Sequence, residues 1–127
     1  MDGDVIARWR RIAKARDVAG LDGLLAEEVV FRSPVVHTPQ RGKVIASKYL
    51  AAALDVLGNE TFRYVGEWRA ERSAVLEFVT TIDGIEINGV DMIAWSEAGR
   101  IVDFKVMLRP LKAINIVHQR MAERLSV

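Results

Sequence analysis

Apolar residues recur along this chain with two periods, and the change falls near its middle. Between residues 4 and 16, Val5, Ile6, Trp9, Ile12 and Ala13 fall on one helical stripe. Asp2 or Asp4 is placed to cap that helix. A second short helix is expected at about 18–26, with Leu21, Leu24 and Leu25 apolar. VVFRS, 29–33, reads as a strand, and SPVVHTPQRG as a loop punctuated by Pro34, Pro39 and Gly42. A third helix is predicted over 43–57, and Gly58 stops it.

From residue 62 the period becomes two. Strict alternation sets Phe62, Tyr64, Gly66 and Trp68 on one face of a strand, with Arg63, Glu67 and Arg69 mostly on the other. SAVLEFVTTID follows, with Leu76, Phe78, Thr80 and Ile82 sharing a face. Asp83-Gly84 is a hairpin signal, and the next strand spans about 85–96. Glu97-Ala98-Gly99 turns it into RIVDFKVMLRP, where Val102, Phe104, Val106 and Leu108 oppose Asp103, Lys105 and Arg109. After Pro110, a residue suited to a helix start, Leu111, Ile114, Val117, Met121 and Leu125 return to helical spacing. Segregated helices and hairpin-linked strands define an α+β chain with a mostly antiparallel sheet.

Composition narrows the classes. The 127 residues suit one domain, 1–127, and 50% hydrophobic with 28% charged residues is a globular balance. Eighteen Lys and Arg stand against 17 Asp and Glu, for a net charge of +1, which leaves no electrostatic footprint for nucleic acid. The chain has no cysteine, which removes disulfides, thiol catalysis and thiolate-bound metals and suits a cytoplasmic protein. Neither a membrane-spanning run nor a signal-peptide core is visible. No glycine-rich phosphate loop points to a nucleotide cofactor, and two histidines, His37 and His118, do not make a metal site. No cofactor and no metal are expected.

One residue breaks the pattern. In NGVDMIAW, 88–95, Gly89, Asp91, Ile93 and Trp95 share the more apolar face of their strand. An ionised carboxylate there must be paired, hydrogen-bonded or protonated. Two readings stand side by side: a structural aspartate satisfied by an interior partner, or a carboxyl group tuned by desolvation for chemistry.

Three stretches resemble the nuclear transport factor two-like superfamily, whose members include ketosteroid isomerase, SnoaL-type polyketide cyclases and limonene epoxide hydrolase. They are GLLAEEVVFRSPVVHTPQRGK, GVDMIAWSEAGRIVDF and VMLRPLKAI. The resemblance covers nearly the whole chain. It implies a cone: a curved sheet wrapped by the N-terminal helices, with a C-terminal helix. It sets Asp91 where ketosteroid isomerase has its protonated oxyanion-hole aspartate, Trp9 at the oxyanion-hole tyrosine and Ser33 at the general base. An indole N–H donates a hydrogen bond, but a serine of ordinary pKa does not act as that base, so steroid isomerisation is not expected. Gly89 stands where limonene epoxide hydrolase has an arginine.

By face and by resemblance, a pocket wall is expected from Trp9, Tyr49, Phe62, Tyr64, Trp68 and Leu76. Phe78, Ile93, Trp95, Phe104, Val106 and Leu108 would continue it, and Asp91, Ser33, His37 and Tyr49 would be its polar groups. His37 is either the acid/base working opposite Asp91 or an exposed loop residue. The basic residues Arg8, Arg10, Arg11, Lys14 and Arg16 are read as a solvated helix face. The function expected is a small-molecule-binding domain with an apolar cavity; the alternative is an isomerase or cyclase-like enzyme acting on an apolar carbonyl compound through Asp91. Homodimerisation is expected through the convex sheet face, where Val65, Val75, Val79, Val90, Met92, Ala94 and Met107 are mixed with charged residues.

Overall fold

The computed structural model describes residues 4–125. Asp4 caps the first helix, α1 (Val5–Ala15), its carboxylate accepting from the backbone N–H groups of Ile6 and Ala7. Asp2, the other candidate cap, lies outside the described residues. Val5, Ile6 and Trp9 are buried on the stripe the spacing predicts.

The segment at 18–26 is shorter as a helix than its leucines suggest. A 3-10 turn (Val18–Gly20) leads into a single turn, α2 (Leu21–Leu24). Strand β1 then begins at Leu25, four residues earlier than the pattern indicates, and runs to Arg32. The cause is non-local: Leu25 pairs with Ile101 on the distant strand β6 (Ile101–Arg109), and the register then shifts before Val30. The loop contains a two-residue strand, β2 (Gln40–Arg41), that covers the β1 edge. Helix α3 occupies Lys43–Leu57, as predicted, with Gly58 at its end.

β3 (Arg63–Arg69), β4 (Ser73–Ile82), β5 (Ile85–Trp95) and β6 form an antiparallel meander. The Asp83-Gly84 turn has both residues at positive φ, the geometry that selects this pair in tight hairpins. The sheet order is β2-β1-β6-β5-β4-β3, and β1 lies parallel to β6. Helices α1 and α3 fill the concave side with Leu76, Phe78, Ile93 and Phe104, all buried. α4 (Leu111–Leu125) buries Ala113, Val117 and Met121. It packs on α3 and on the ends of β5 and β6. No helix among the described residues is long and apolar enough to cross a membrane.

Candidate functional site

Asp91 sits mid-strand on β5, opposite Leu76 of β4 and Val106 of β6, on the concave face. It is only 5% exposed, one of two buried polar side chains among the described residues, with Thr80. Its partner comes from two strands away. The Tyr64 hydroxyl, on β3, donates to Asp91 Oδ2 at 2.5 Å. The Trp9 indole N–H, from α1, donates to the Tyr64 oxygen at 2.9 Å. The result is a directed relay, Trp9 to Tyr64 to Asp91. No other side chain among the described residues donates to the carboxylate, so Oδ1 is left unpaired.

Burial dominates the electrostatics. Desolvation pushes the Asp91 carboxyl up to about 7, even though the Tyr64 hydrogen bond works the other way by favouring the ionised form. Tyr64 is driven well above its ordinary value, first by burial and then by the Asp91 charge and the hydrogen bond to it. The phenol therefore stays protonated as a donor while the carboxyl changes state near neutrality.

Around this pair lies a recess of about 40 Å³, walled by Trp9, Phe62, Phe78, Phe104 and Val106 together with Leu50, Leu54 and Leu57 of α3. Such a volume admits a few water-sized groups, far less than a roomy ligand cavity. The interior of the cone is mostly filled by side chains. Phe62 stacks on Phe78 with centroids 5.1 Å apart, and Trp9 meets Phe104 edge-on at 4.8 Å. The loop after α3 is tied to the sheet at the mouth of the recess. Asn59 Nδ2 donates to the Thr81 carbonyl at 2.8 Å, and buried Thr80 Oγ1 donates to the Leu57 carbonyl at 3.1 Å.

Seven of the expected wall and polar residues meet here: Trp9, Phe62, Tyr64, Phe78, Asp91, Phe104 and Val106. Trp68 does not. A bulge between Tyr64 and Gly66 inserts one extra residue, so Tyr64 pairs with Phe78 but Trp68 pairs with Val75. This reverses the alternation. Trp68 stands on the convex face, 59% exposed, with its ring folded over Gly66. Glu67, expected outside, turns to the concave side, where Arg10 of α1 reaches it at 2.9 Å. Arg69 follows it there and contacts Asp4 at 3.0 Å.

Ser33 and His37 are not opposite Asp91. They border a groove beyond Val106, beside Leu108 and Lys105. Ser33 Oγ accepts from the N–H groups of Val35 and Val36, which holds the turn, and His37 is exposed. Tyr49 leans on Phe31, centroids 5.8 Å apart, and faces α4. Leu76 and Ile93 are buried core, and Trp95 packs at the far end of β5, past a register shift. Ala13, Leu50, Ala53, Leu54, Leu57 and Gly58 also line the recess, beyond the residues expected there. The spacing 50, 53, 54, 57 was the available signal, since it places one face of α3 inward.

The architecture defines the class: a curved open sheet closed on its concave side by helices, with a carboxyl group inside. The SnoaL-like domain family model matches residues 6–104, and the chain belongs to this family. Among solved structures it is similar to a steroid delta-isomerase from Pseudomonas aeruginosa, with 38% identity over 96% of this chain and 89% of that one and a TM-score of 0.91. A bacterial protein with a cystatin-like fold from Silicibacter pomeroyi has 29% identity, covers 98% and 86% of the two chains, and has a TM-score of 0.91. The fold also matches a ketosteroid isomerase-like protein from Catenulispora acidiphila in complex with trimethylamine, with 14% identity, 87% and 88% coverage and a TM-score of 0.66. No curated protein matches by sequence.

Proposed function

We propose that this protein binds a small, mainly apolar molecule and receives one of its oxygens at Asp91. The observation that carries this reading is the single-sided satisfaction of the carboxyl group: Tyr64 occupies Oδ2, and Oδ1 is unpaired in an apolar recess. Protonated on Oδ1, Asp91 donates to a carbonyl or enolate oxygen while Oδ2 still accepts from Tyr64. Ionised, it accepts from a phenol or alcohol. Because the recess holds only a few heavy atoms, the ligand inserts one end and leaves the rest at the mouth.

The test is calorimetric titration of 2-naphthol and of small cyclic ketones into wild type and Asp91→Asn, between about pH 5 and pH 9. Binding whose affinity depends on pH in the wild type, and loses that dependence in Asp91→Asn, is expected. No binding of any probe overturns the reading and makes Asp91 a structural residue.

A carboxyl group that titrates near 7 also favours a second reading, proton transfer next to a carbonyl. The ionised carboxylate would take a proton from the α-carbon of an unsaturated ketone and return it to the γ-carbon, leaving the isomer and regenerating the carboxylate. Asp91 would have to act alone, since it and Tyr64 are the titratable groups at the recess. The similarity to the Pseudomonas protein supports trying this first on a steroid β,γ-enone. Growth of the conjugated-enone absorbance, abolished in Asp91→Asn, is the expected signal, and an equal rate in both proteins excludes it.

We also propose a two-fold homodimer through the convex face. Trp68 joins Val65 and Met107 there, each at least half exposed, and this supports burial against a second copy.

A further inference from the structure

Resting on the binding reading above, we infer that the ligand is an organic anion, whose apolar end enters the Asp91 recess and whose charged end lies in a cationic vestibule at its mouth. The vestibule is an open space of about 600 Å³ lined by Arg10, Arg11, Lys14, Arg16 and Arg63, with Glu60 as its single carboxylate among the described residues. The placement is specific. A chain of net charge +1 gathers five of its 18 cationic side chains around one opening.

The two spaces share residues. Ala13, Gly58, Phe62 and Tyr64 line both the vestibule and the recess, so an apolar path joins the cations to Asp91. Arg10 is fixed at the junction, its guanidinium 5.0 Å from the centre of the Tyr64 ring and bonded to Glu67. Arg11, Lys14, Arg16 and Arg63 are exposed and make no ion pair among the described residues. Arg8, by contrast, bonds to the Gly23 and Gly99 carbonyls and stands outside the opening. A basic face that only solvated the helix would not need to converge on the mouth of the recess that holds the buried Asp91. Low-dielectric walls beside that mouth focus the positive field on whatever enters. A carboxylate or phosphate on the ligand satisfies the cations, and its distance from the oxygen-bearing end is spanned by the shared apolar residues.

The test uses matched probes, 2-naphthol and 6-hydroxy-2-naphthoate, which differ by one carboxylate. Both are titrated into wild type, Asp91→Asn and the triple variant Arg11→Gln, Lys14→Gln, Arg63→Gln, at about 0.05 M and about 0.5 M salt. The expected result is that the naphthoate binds wild type about tenfold or more tighter than naphthol, as charge-assisted hydrogen bonds allow. That advantage, read as the ratio of the two probes' affinities within each protein, should shrink with salt and vanish in the triple variant. If naphthol binds and the naphthoate binds no tighter, the inference fails and the binding reading survives. If the naphthoate binds equally well to all three proteins, it sits elsewhere and the inference also fails. If neither probe binds wild type, both readings fall together.

Discussion

Tyr64 and Asp91 belong to strands separated by β4, yet the phenol oxygen lies 2.5 Å from the carboxylate and is its one side-chain donor among the described residues. Loss of that donor removes the interaction that favours the ionised acid. Tyr64→Phe should therefore raise the Asp91 carboxyl further above about 7, read as a shifted midpoint in carbon NMR of the Asp91 side chain. An unchanged or lower midpoint would mean that Tyr64 does not tune it.

The same burial couples Asp91 to stability. Its carboxyl ionises near 3.8 when exposed and near 7 in the fold, so the native state holds the proton more tightly. The contribution is fully present below about pH 4 and is lost as pH rises through about 7, a difference of about 4 kcal/mol at most. Asp91→Asn, which can still accept from Tyr64, should gain stability relative to wild type between pH 4.5 and pH 8. Urea denaturation at those two pH values checks it; a constant difference would contradict the raised value.

Gly89 clears the ground beside the site. A Cβ there would lie 2.5 Å from Phe78 Cζ and 2.8 Å from the Met107 carbonyl oxygen. Backbone cannot give way as a side chain can, so Gly89→Ala should cost about 1–3 kcal/mol. A shift of the denaturation midpoint measures it.

Trp68→Lys should leave the fold within about 0.5 kcal/mol of wild type, because the side chain is mostly in solvent. Placed on a dimer interface it should also convert the dimer to a monomer, which light scattering would report. A wild-type monomer at micromolar concentration would remove the dimer instead.

His37→Ala should not change the affinity for any ligand held at Asp91, because His37 borders a separate groove. Comparison of naphthol binding to the two proteins decides this.

Much of this was legible in the chain. Strand and helix periods located every long element, because amphipathic periodicity is a local consequence of which face meets the core. Asp91 stood out for the same reason, a carboxylate at an apolar strand position. The resemblance carried by GVDMIAWSEAGRIVDF pointed to the family that the match over residues 6–104 establishes.

What the sequence by itself determined was therefore the α+β class, the order and approximate place of the long elements and the presence of one anomalous buried acid. Only the tertiary structure decided what surrounds that acid. One extra residue at the β3 bulge moved Trp68 outward and turned Glu67 toward Arg10, and strict alternation has no way to count it. The helices then filled most of the cone with Leu50, Leu54 and Leu57, leaving a small recess of the expected apolar cavity. Convergence of the cations of α1 and Arg63 on its mouth depends on how α1 lies against β3. Period reports the face of an element, while the site depends on register and on the placement of one element against another. Both are set by contacts between residues far apart in the chain.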